Sequence, residues 1–156
     1  MSKQIIGLYG GSFNPFHIGH LNIVQKAGKI FGEENIVVAF GCNPEKPKTD
    51  IEERSRLLFN RFNELGMKTR VCVYSKFLHE LIEDYENQGY DVVLIRGLRN
   101  GDDLAYEDNQ LKFIKDFKKD VNVIFLLCDE QFEHISSSAI RNLESFRPGS
   151  SKNYLI

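Results

Sequence analysis

Residues 7–23 read GLYGGSFNPFHIGHLNI, and this stretch joins an apolar run to a segment with helical spacing. The apolar run ends at Tyr9, where the paired glycines Gly10 and Gly11 allow the backbone to turn sharply. Beyond the glycines, apolar residues recur with the period of one helix face as far as Phe31. The stretch therefore predicts a strand, a tight turn and a helix in succession.

The same alternation continues along the chain. Short β-branched apolar runs recur, each followed by a segment with helical spacing, at residues 4–9, 35–40, 69–74, 91–96 and 122–128. The runs IVVAF and VVLI are apolar without alternation, as expected of parallel strands that are covered on both faces. We therefore predict an α/β fold with a five-stranded parallel sheet and helices on both faces, formed as a single domain over residues 1–156.

The composition of the chain excludes several classes of protein. A net charge of −2 over 156 residues offers no cationic surface of the kind that nucleic-acid binding needs. The apolar segment at residues 121–128 is too short to cross a bilayer, and the first residues lack the apolar core of a signal peptide. Cys42, Cys72 and Cys128 show no CxxC spacing, so they predict neither disulfides nor a zinc ribbon. We expect a cytoplasmic protein that binds neither nucleic acid nor a membrane.

The glycine turn lies where a ligand is expected, because an open parallel sheet binds its ligand at the carboxyl ends of its strands. A helix that begins near Gly19 directs its free N–H groups at the same place, which is a phosphate-binding geometry. His17 and His20 lie three residues apart at this helix start, so both imidazoles can donate hydrogen bonds to phosphate oxygens, beside the hydroxyl of Ser12. Neither GxGxxG nor GK[ST] follows the strand, so the pattern differs from a dinucleotide fingerprint and from a P-loop.

Two other interpretations of the histidine pair stay open. The two side chains can cap the helix and bind no ligand. They can also hold a metal ion, although HxxH supplies only two ligands and His134 or Cys128 would have to supply the others.

Three further segments bring polar side chains to the carboxyl ends of predicted strands. Arg96 and Arg99 in IRGLRNGDDLAYED suit a phosphate, and Glu107 can accept from a ribose hydroxyl or pair with a lysine of its own helix. HISSSAIR places three hydroxyls at a helix start, where a cap needs only one serine. Lys46 and Lys48 lie in a proline-interrupted loop, either as substrate contacts or as solvated side chains.

Taken together, GGSFNPFHIGH and ISSSAIR resemble the motifs of the nucleotidyltransferase superfamily that carries the [TH]xGH signature. IRGLRNGDDLAYE and KPKTDIEER resemble segments of its phosphopantetheine adenylyltransferase family, and the match runs from Gly7 to Arg141. The resemblance implies a Rossmann-like fold and transfer of AMP from ATP to 4'-phosphopantetheine, which gives dephospho-coenzyme A and pyrophosphate in coenzyme A biosynthesis. It also implies Mg²⁺ together with ATP, and a homo-oligomer that is commonly a hexamer.

The resemblance assigns roles residue by residue. Ser12, His20 and Lys46 stand at the family's catalytic positions. Ser12, Lys46 and Arg96 stand at the positions that hold the acceptor. The positions that match the family's ATP-binding residues are Ser12, Phe13, His17, His20, Gly97, Leu98, Arg99, Glu107, Phe132, Ile135, Ser136, Ser137 and Ser138. The resemblance assigns no metal ligand to the protein.

Two residues depart from the family's usual pattern. Asn14 stands where the family usually has aspartate, and His17 stands where it usually has threonine. The two-histidine form is more similar to nicotinate or nicotinamide mononucleotide adenylyltransferases and to cytidylyltransferases. A mononucleotide adenylyltransferase of NAD biosynthesis is therefore the alternative function, and a nucleotide sensor without turnover is a third.

Overall fold

The computed structural model describes residues 3–42 and 50–156, which form a sheet flanked by helices. The strands are β1 (Ile5–Gly11), β2 (Ile36–Gly41), β3 (Arg70–Tyr74), β4 (Asp91–Leu98) and β5 (Asn122–Leu127). The α-helices of the described residues are α1 (Ile18–Phe31), α2 (Ile51–Glu64), α3 (Leu78–Asn87), α4 (Gly101–Phe117) and α5 (Ser137–Phe146). Short 3₁₀ turns lie at Glu33–Asn35, Glu130–Phe132 and Lys152–Tyr154.

The five strands are all parallel and lie in the order β3-β2-β1-β4-β5. β1 is central, and its Gly7 lies opposite Ile36 of β2 on one side and Val93 of β4 on the other. The chain adds β2 and β3 on one side of β1 and then crosses over to add β4 and β5 on the other. This reversal creates a topological switch point between β1 and β4, and open α/β sheets bind their ligands at the carboxyl end of such a point.

Both faces of the sheet are covered by helices. One face packs against α1 and α2 through a cluster that includes Val24, Phe40 and Phe62. The opposite face packs against α3 through a cluster that contains Leu8 of β1 and Ile82 of α3, and α4 contributes to the same cluster. Successive residues of a strand point to opposite faces, so strands covered on both sides are apolar throughout. The predicted α/β class, with five parallel strands and helices on both faces, is confirmed.

The prediction of a sharp turn at the paired glycines is wrong. Gly10 and Gly11 continue β1 and lie opposite Ala39 and Phe40 of β2. Pairing with the neighbouring strand satisfies their backbone groups, so the chain stays extended there. The turn comes later, at residues 14–15.

β4 extends two residues beyond the predicted strand at residues 91–96. β4 runs on to Leu98, which lies opposite Leu127 of β5. α4 begins at Gly101 because the side chain of Asn100 accepts hydrogen bonds from the N–H groups of Asp102 and Asp103.

Among the described residues, no helix has the length and the apolar composition needed to cross a bilayer.

Candidate active site

A cavity of about 540 Å³ opens at the carboxyl ends of β1 and β4. Its walls come from those two strand ends, the loop after β1, the first turn of α1, one face of α4 and the start of α5. The volume is that of a small-molecule site. The cavity therefore lies where the topology of the sheet places a ligand.

Every predicted site residue that the structure describes lines this one cavity. They are Ser12, Phe13, His17, His20, Arg96, Gly97, Leu98, Arg99, Glu107, Phe132, Ile135, Ser136, Ser137 and Ser138. Lys46 and Lys48 lie outside the described residues. The roles of these side chains stay predictions, but residues from opposite ends of the chain are brought together in one place.

The cavity also contains residues that the sequence analysis did not single out. Asp103, Tyr106 and Gln110 line it from the face of α4 that carries Glu107. They lie three or four residues apart along the chain, which is the spacing of one helix face, so their place beside Glu107 could have been predicted from the sequence. Tyr9 carried no such signal, because it ends an apolar run and reads as a core residue.

The two histidines of α1 cap each other's backbone. Nδ1 of His17 accepts from the N–H groups of Gly19 (3.0 Å) and His20 (3.4 Å), while Nδ1 of His20 accepts from the N–H of His17 (3.1 Å). The helix start therefore does not offer the N–H groups of Gly19 and His20 to a ligand, contrary to the prediction of free amides there. The capping interpretation holds for Nδ1 of both rings, while both rings also line the cavity.

This capping fixes the proton of each imidazole. Because Nδ1 accepts in both rings, the neutral form of each carries its hydrogen on Nε2 and can only donate from there. Burial lowers the pKa of His17 to about 4, and the Arg99 cation adds to the shift. Burial also lowers the pKa of His20 well below its ordinary value, and the stacked His17 ring, with centroids 3.7 Å apart, adds to it. At neutral pH the pair therefore presents two neutral N–H donors.

The glycine between the histidines is required by the same contact. A Cβ on Gly19 would lie 2.9 Å from Cε1 and 3.0 Å from Nδ1 of His17. The first distance is shorter than real Cβ contacts and the second is tighter than most of them, so a side chain at this position would push the capping ring away.

We expect His17→Asn to flatten the pH dependence of stability. Below pH 6.5 the unfolded chain takes up a proton on His17 that the folded chain excludes until a pH of about 4. The unfolded state then binds more protons, so stability falls as the pH decreases, by about 2 kcal/mol between pH 7 and pH 5 for this residue alone. Asparagine keeps an N-cap acceptor and does not titrate.

Thermal unfolding at pH 7, 6 and 5 measures this effect. The Tm of the unsubstituted chain should fall by roughly 4 to 8 °C more than that of His17→Asn over this range. Equal slopes for the two chains would show that His17 is protonated in the folded state.

Arg96 and Glu107 form an ion pair inside the cavity. Nε of Arg96 lies 3.4 Å from Oε2 of Glu107, and both side chains are about four-fifths buried. Burial raises the pKa of Glu107, Arg96 opposes this shift and Asp103 adds to it. Within residues 3–42 and 50–156, Oε2 of Glu107 has no hydrogen-bond partner, and no acceptor bonds the Nη groups of Arg96. The outer nitrogens of Arg96 are thus available to an anion.

Arg99 is held by the carboxylate of Asp103. Nε and Nη2 of Arg99 donate to the two oxygens of Asp103 at 3.1 and 3.2 Å, and the N–H of Arg99 donates at 2.8 Å. Burial raises the pKa of Asp103, but the hydrogen bonds from Arg99 outweigh burial and hold that pKa below its usual value. The guanidinium is therefore fixed in orientation at the cavity wall and is not a freely moving clamp.

The three serines before α5 have different tasks. Oγ of Ser136 accepts from the N–H of Ala139 as the helix cap, and Oγ of Ser138 accepts from Arg141. Both hydroxyls keep their hydrogen for a ligand. Ser137 donates its hydrogen to the carbonyl oxygen of Pro15 at 2.9 Å. Of the three hydroxyls at this helix start, two can therefore donate to a ligand, and the third holds the loop after β1.

Comparison with known proteins places the chain in a class. A family model described as Cytidylyltransferase-like matches residues 8–143, so the chain belongs to that group of nucleotidyltransferases. Phosphopantetheine adenylyltransferase from Porphyromonas gingivalis is 33% identical over 144 residues, with 92% of this chain and 90% of the relative covered. The enzyme of that name from Zymomonas mobilis is 30% identical over 146 residues, with 90% and 79% covered. The chain is a member of the phosphopantetheine adenylyltransferase family.

Solved structures resemble the fold. A nicotinic acid mononucleotide adenylyltransferase from Plasmodium falciparum, complexed with NaAD, superposes with a TM-score of 0.67 over 97% of this chain and 90% of its own. The sequence identity is 17%, so this likeness supports the architecture alone.

Proposed function

We propose that this chain transfers the adenylyl group of ATP to 4'-phosphopantetheine, which yields dephospho-coenzyme A and pyrophosphate in coenzyme A biosynthesis. The observation that carries the proposal is the cavity at the switch point of a chain from this family, which has His20, Arg96 and Arg99 in its wall. The predicted cytoplasmic location and hexameric assembly remain predictions.

The reaction needs no general base. A phosphate oxygen of the acceptor attacks the α-phosphorus of ATP, a new P–O bond forms, and the bond to the leaving pyrophosphate breaks. The acceptor phosphate is already ionised at neutral pH, so no proton has to be removed. Neither imidazole is arranged to remove one, because each Nδ1 already accepts from the backbone. Catalysis then comes from positioning and from stabilising negative charge.

The residues of the cavity divide between the two substrates. Arg96 offers its outer nitrogens to the acceptor phosphate, and Lys46 is proposed to join it there. Nε2–H of His20 and the hydroxyl of Ser12 face the reacting phosphates. The segment from Phe132 to Ser138 and the α4 face are proposed to hold the remainder of ATP, with the hydroxyls of Ser136 and Ser138 as donors.

Mg²⁺ is proposed to accompany ATP. Within the described residues, no group of three or more His, Cys, Asp or Glu side chains is arranged to hold a metal ion. Asp103 and Glu107 are paired with arginines, so the ligands of the ion would be phosphate oxygens and water. When bound, the ion supplies charge neutralisation to the triphosphate.

Pyrophosphate release tests the proposal. ATP and Mg²⁺ are supplied with 4'-phosphopantetheine or with nicotinate or nicotinamide mononucleotide, and His20→Ala serves as the blank. We expect pyrophosphate release when 4'-phosphopantetheine is the acceptor and no release with either mononucleotide. Release with a mononucleotide alone would contradict the acceptor, and ATP binding without release from any acceptor would favour a sensor.

A further inference from the structure

Four successive carbonyl groups in the loop after β1 are held by side chains from distant helices. Nη1 of Arg54, on α2, donates to the carbonyl oxygens of Ser12 (2.8 Å) and Phe13 (2.7 Å). Side chains of α5 hold the next two, those of residues 14 and 15, at 2.6 and 2.9 Å. Arg54 is the one side chain of this set that bonds two of the carbonyls.

Arg54 is itself fixed on several sides. Its Nε donates to Oδ2 of Asp50 at 3.0 Å, and its guanidinium carbon lies 5.7 Å from the centroid of the Phe40 ring. The ring of Phe13 also packs against Phe40, with the two ring centroids 5.3 Å apart. The arginine side chain is about four-fifths buried, so its hydrogen bonds are partly shielded from solvent. A guanidinium held in this way defines the position of what it binds.

Arg54 binds the loop on both sides of Phe13, whose backbone is strained. Phe13 has a φ of +45°, which a side chain other than glycine rarely adopts. Such a conformation costs on the order of 1 kcal/mol and persists only where the surroundings enforce it. The two carbonyls that Arg54 binds are those immediately before and after the Phe13 α-carbon. Arg54 is therefore placed to enforce this conformation.

Holding these carbonyls also sets the direction of two N–H groups. In a trans peptide the N–H points opposite to the carbonyl of the preceding residue. The N–H groups of Phe13 and Asn14 thus point away from Arg54, and no acceptor within residues 3–42 and 50–156 bonds either of them. Ser12 and Phe13 line the cavity, whereas Arg54 lies outside it.

We infer that Arg54 is a positioning residue for adenylyl transfer: by holding the Ser12 and Phe13 carbonyls, it keeps the Ser12 hydroxyl and the N–H group of Phe13 in the wall of the cavity, where the proposed function places the phosphates of ATP. The inference rests on the proposed function, since it assigns the phosphates to this loop. Arg54 touches no substrate and acts through the loop alone.

The test uses Arg54→Met, which keeps an unbranched side chain over Phe40 and removes all donors. We expect kcat to fall roughly 30-fold or more, the scale of a small misplacement of reacting groups. The Kd for ATP should rise about fivefold or more while the Kd for adenosine stays within about twofold, because only the phosphates contact the loop. Arg54→Lys restores a donor and should regain at least about threefold in kcat.

Arg61→Met is the matched control. Arg61 lies on the same helix, pairs with Glu64 at the surface and lies outside the cavity, so kcat should stay within about twofold. If Arg54→Met fails to fold, as judged by circular dichroism, the affinities of Arg54→Lys are compared instead. A larger rise in the Kd for ATP than in the Kd for adenosine supports the inference, and an equal rise contradicts it.

Two outcomes overturn the inference. The first is a kcat for Arg54→Met within about threefold of the unsubstituted chain. The second is an equal loss of affinity for ATP and adenosine, which indicates a general loss of structure. If the unsubstituted chain releases no pyrophosphate with any acceptor, the proposed function fails, and the comparison of ATP with adenosine still decides the role of Arg54.

Discussion

His20→Ala lowers kcat by at least roughly a hundredfold and leaves ATP binding measurable. That is the expected result, because in the proposed mechanism His20 donates an N–H to charge that develops in the transition state, and removing one such donor lowers kcat by about this factor. The ring of His20 is fixed for this task by its bond to the His17 backbone and by the Phe13 ring, whose centroid lies 5.0 Å away. Steady-state pyrophosphate release gives kcat, and calorimetric titration gives the Kd for ATP.

Two variants accompany this measurement. His20→Gln can place an amide N–H near the position of Nε2 and should retain more activity than the alanine variant. His79→Ala removes a partly buried imidazole that packs beside the rings of Phe77 and Phe117, away from the cavity, and should leave kcat within about twofold. A kcat for His20→Ala within about threefold of the unsubstituted chain would remove His20 from the mechanism.

Arg96→Ala is expected to raise the KM for the phosphorylated acceptor roughly 30-fold to 100-fold, with the KM for ATP within about threefold. Hydrogen bonds between charged partners contribute about 1.5–3 kcal/mol each, a factor of about 10 to 150, and the expected rise lies within these limits. The effect on the acceptor should be separable from that on ATP because Arg96 is at the end of β4, while the proposed ATP contacts extend along α4 and to α5.

A second variant is needed because Arg96 pairs with Glu107. Without the arginine, the carboxylate of Glu107 is buried with no counter-charge, and Arg96→Ala combined with Glu107→Gln removes that charge as well. Arg70→Ala, at the exposed start of β3, is the matched control for the loss of an arginine from a strand. An unchanged acceptor KM in both Arg96 variants would refute the assignment.

Most of the fold follows from local patterns. The runs at residues 36–40 and 92–95 are continuous in apolar residues, and the structure places both in strands covered on two faces. What the pattern did not reveal was where strands end. Gly10 and Gly11 read as a turn because glycine tolerates turn conformations, but pairing with β2 across the sheet overrides this local preference.

The sequence predicted which residues form the site, but it did not predict the hydrogen bonds that join them. Residue types and their places after strands indicated the right set, because parallel strands deliver their carboxyl ends to one edge. The bond from Ser137 to Pro15 and those from Arg54 to the loop join residues far apart in sequence. No spacing rule along the chain encodes such pairs, so they become visible only once the chain is folded.

The mutual capping of His17 and His20 gives a chemical meaning to the alternation in [TH]xGH. A threonine at position 17 could accept the same amide hydrogens that Nδ1 of His17 accepts, since threonine is a good N-cap residue. Threonine and histidine at position 17 are then two ways to cap the same helix start, and His20 follows this cap at the cavity wall. Understood in this way, the two-histidine form carries no information about whether the acceptor is a pantetheine or a nucleotide.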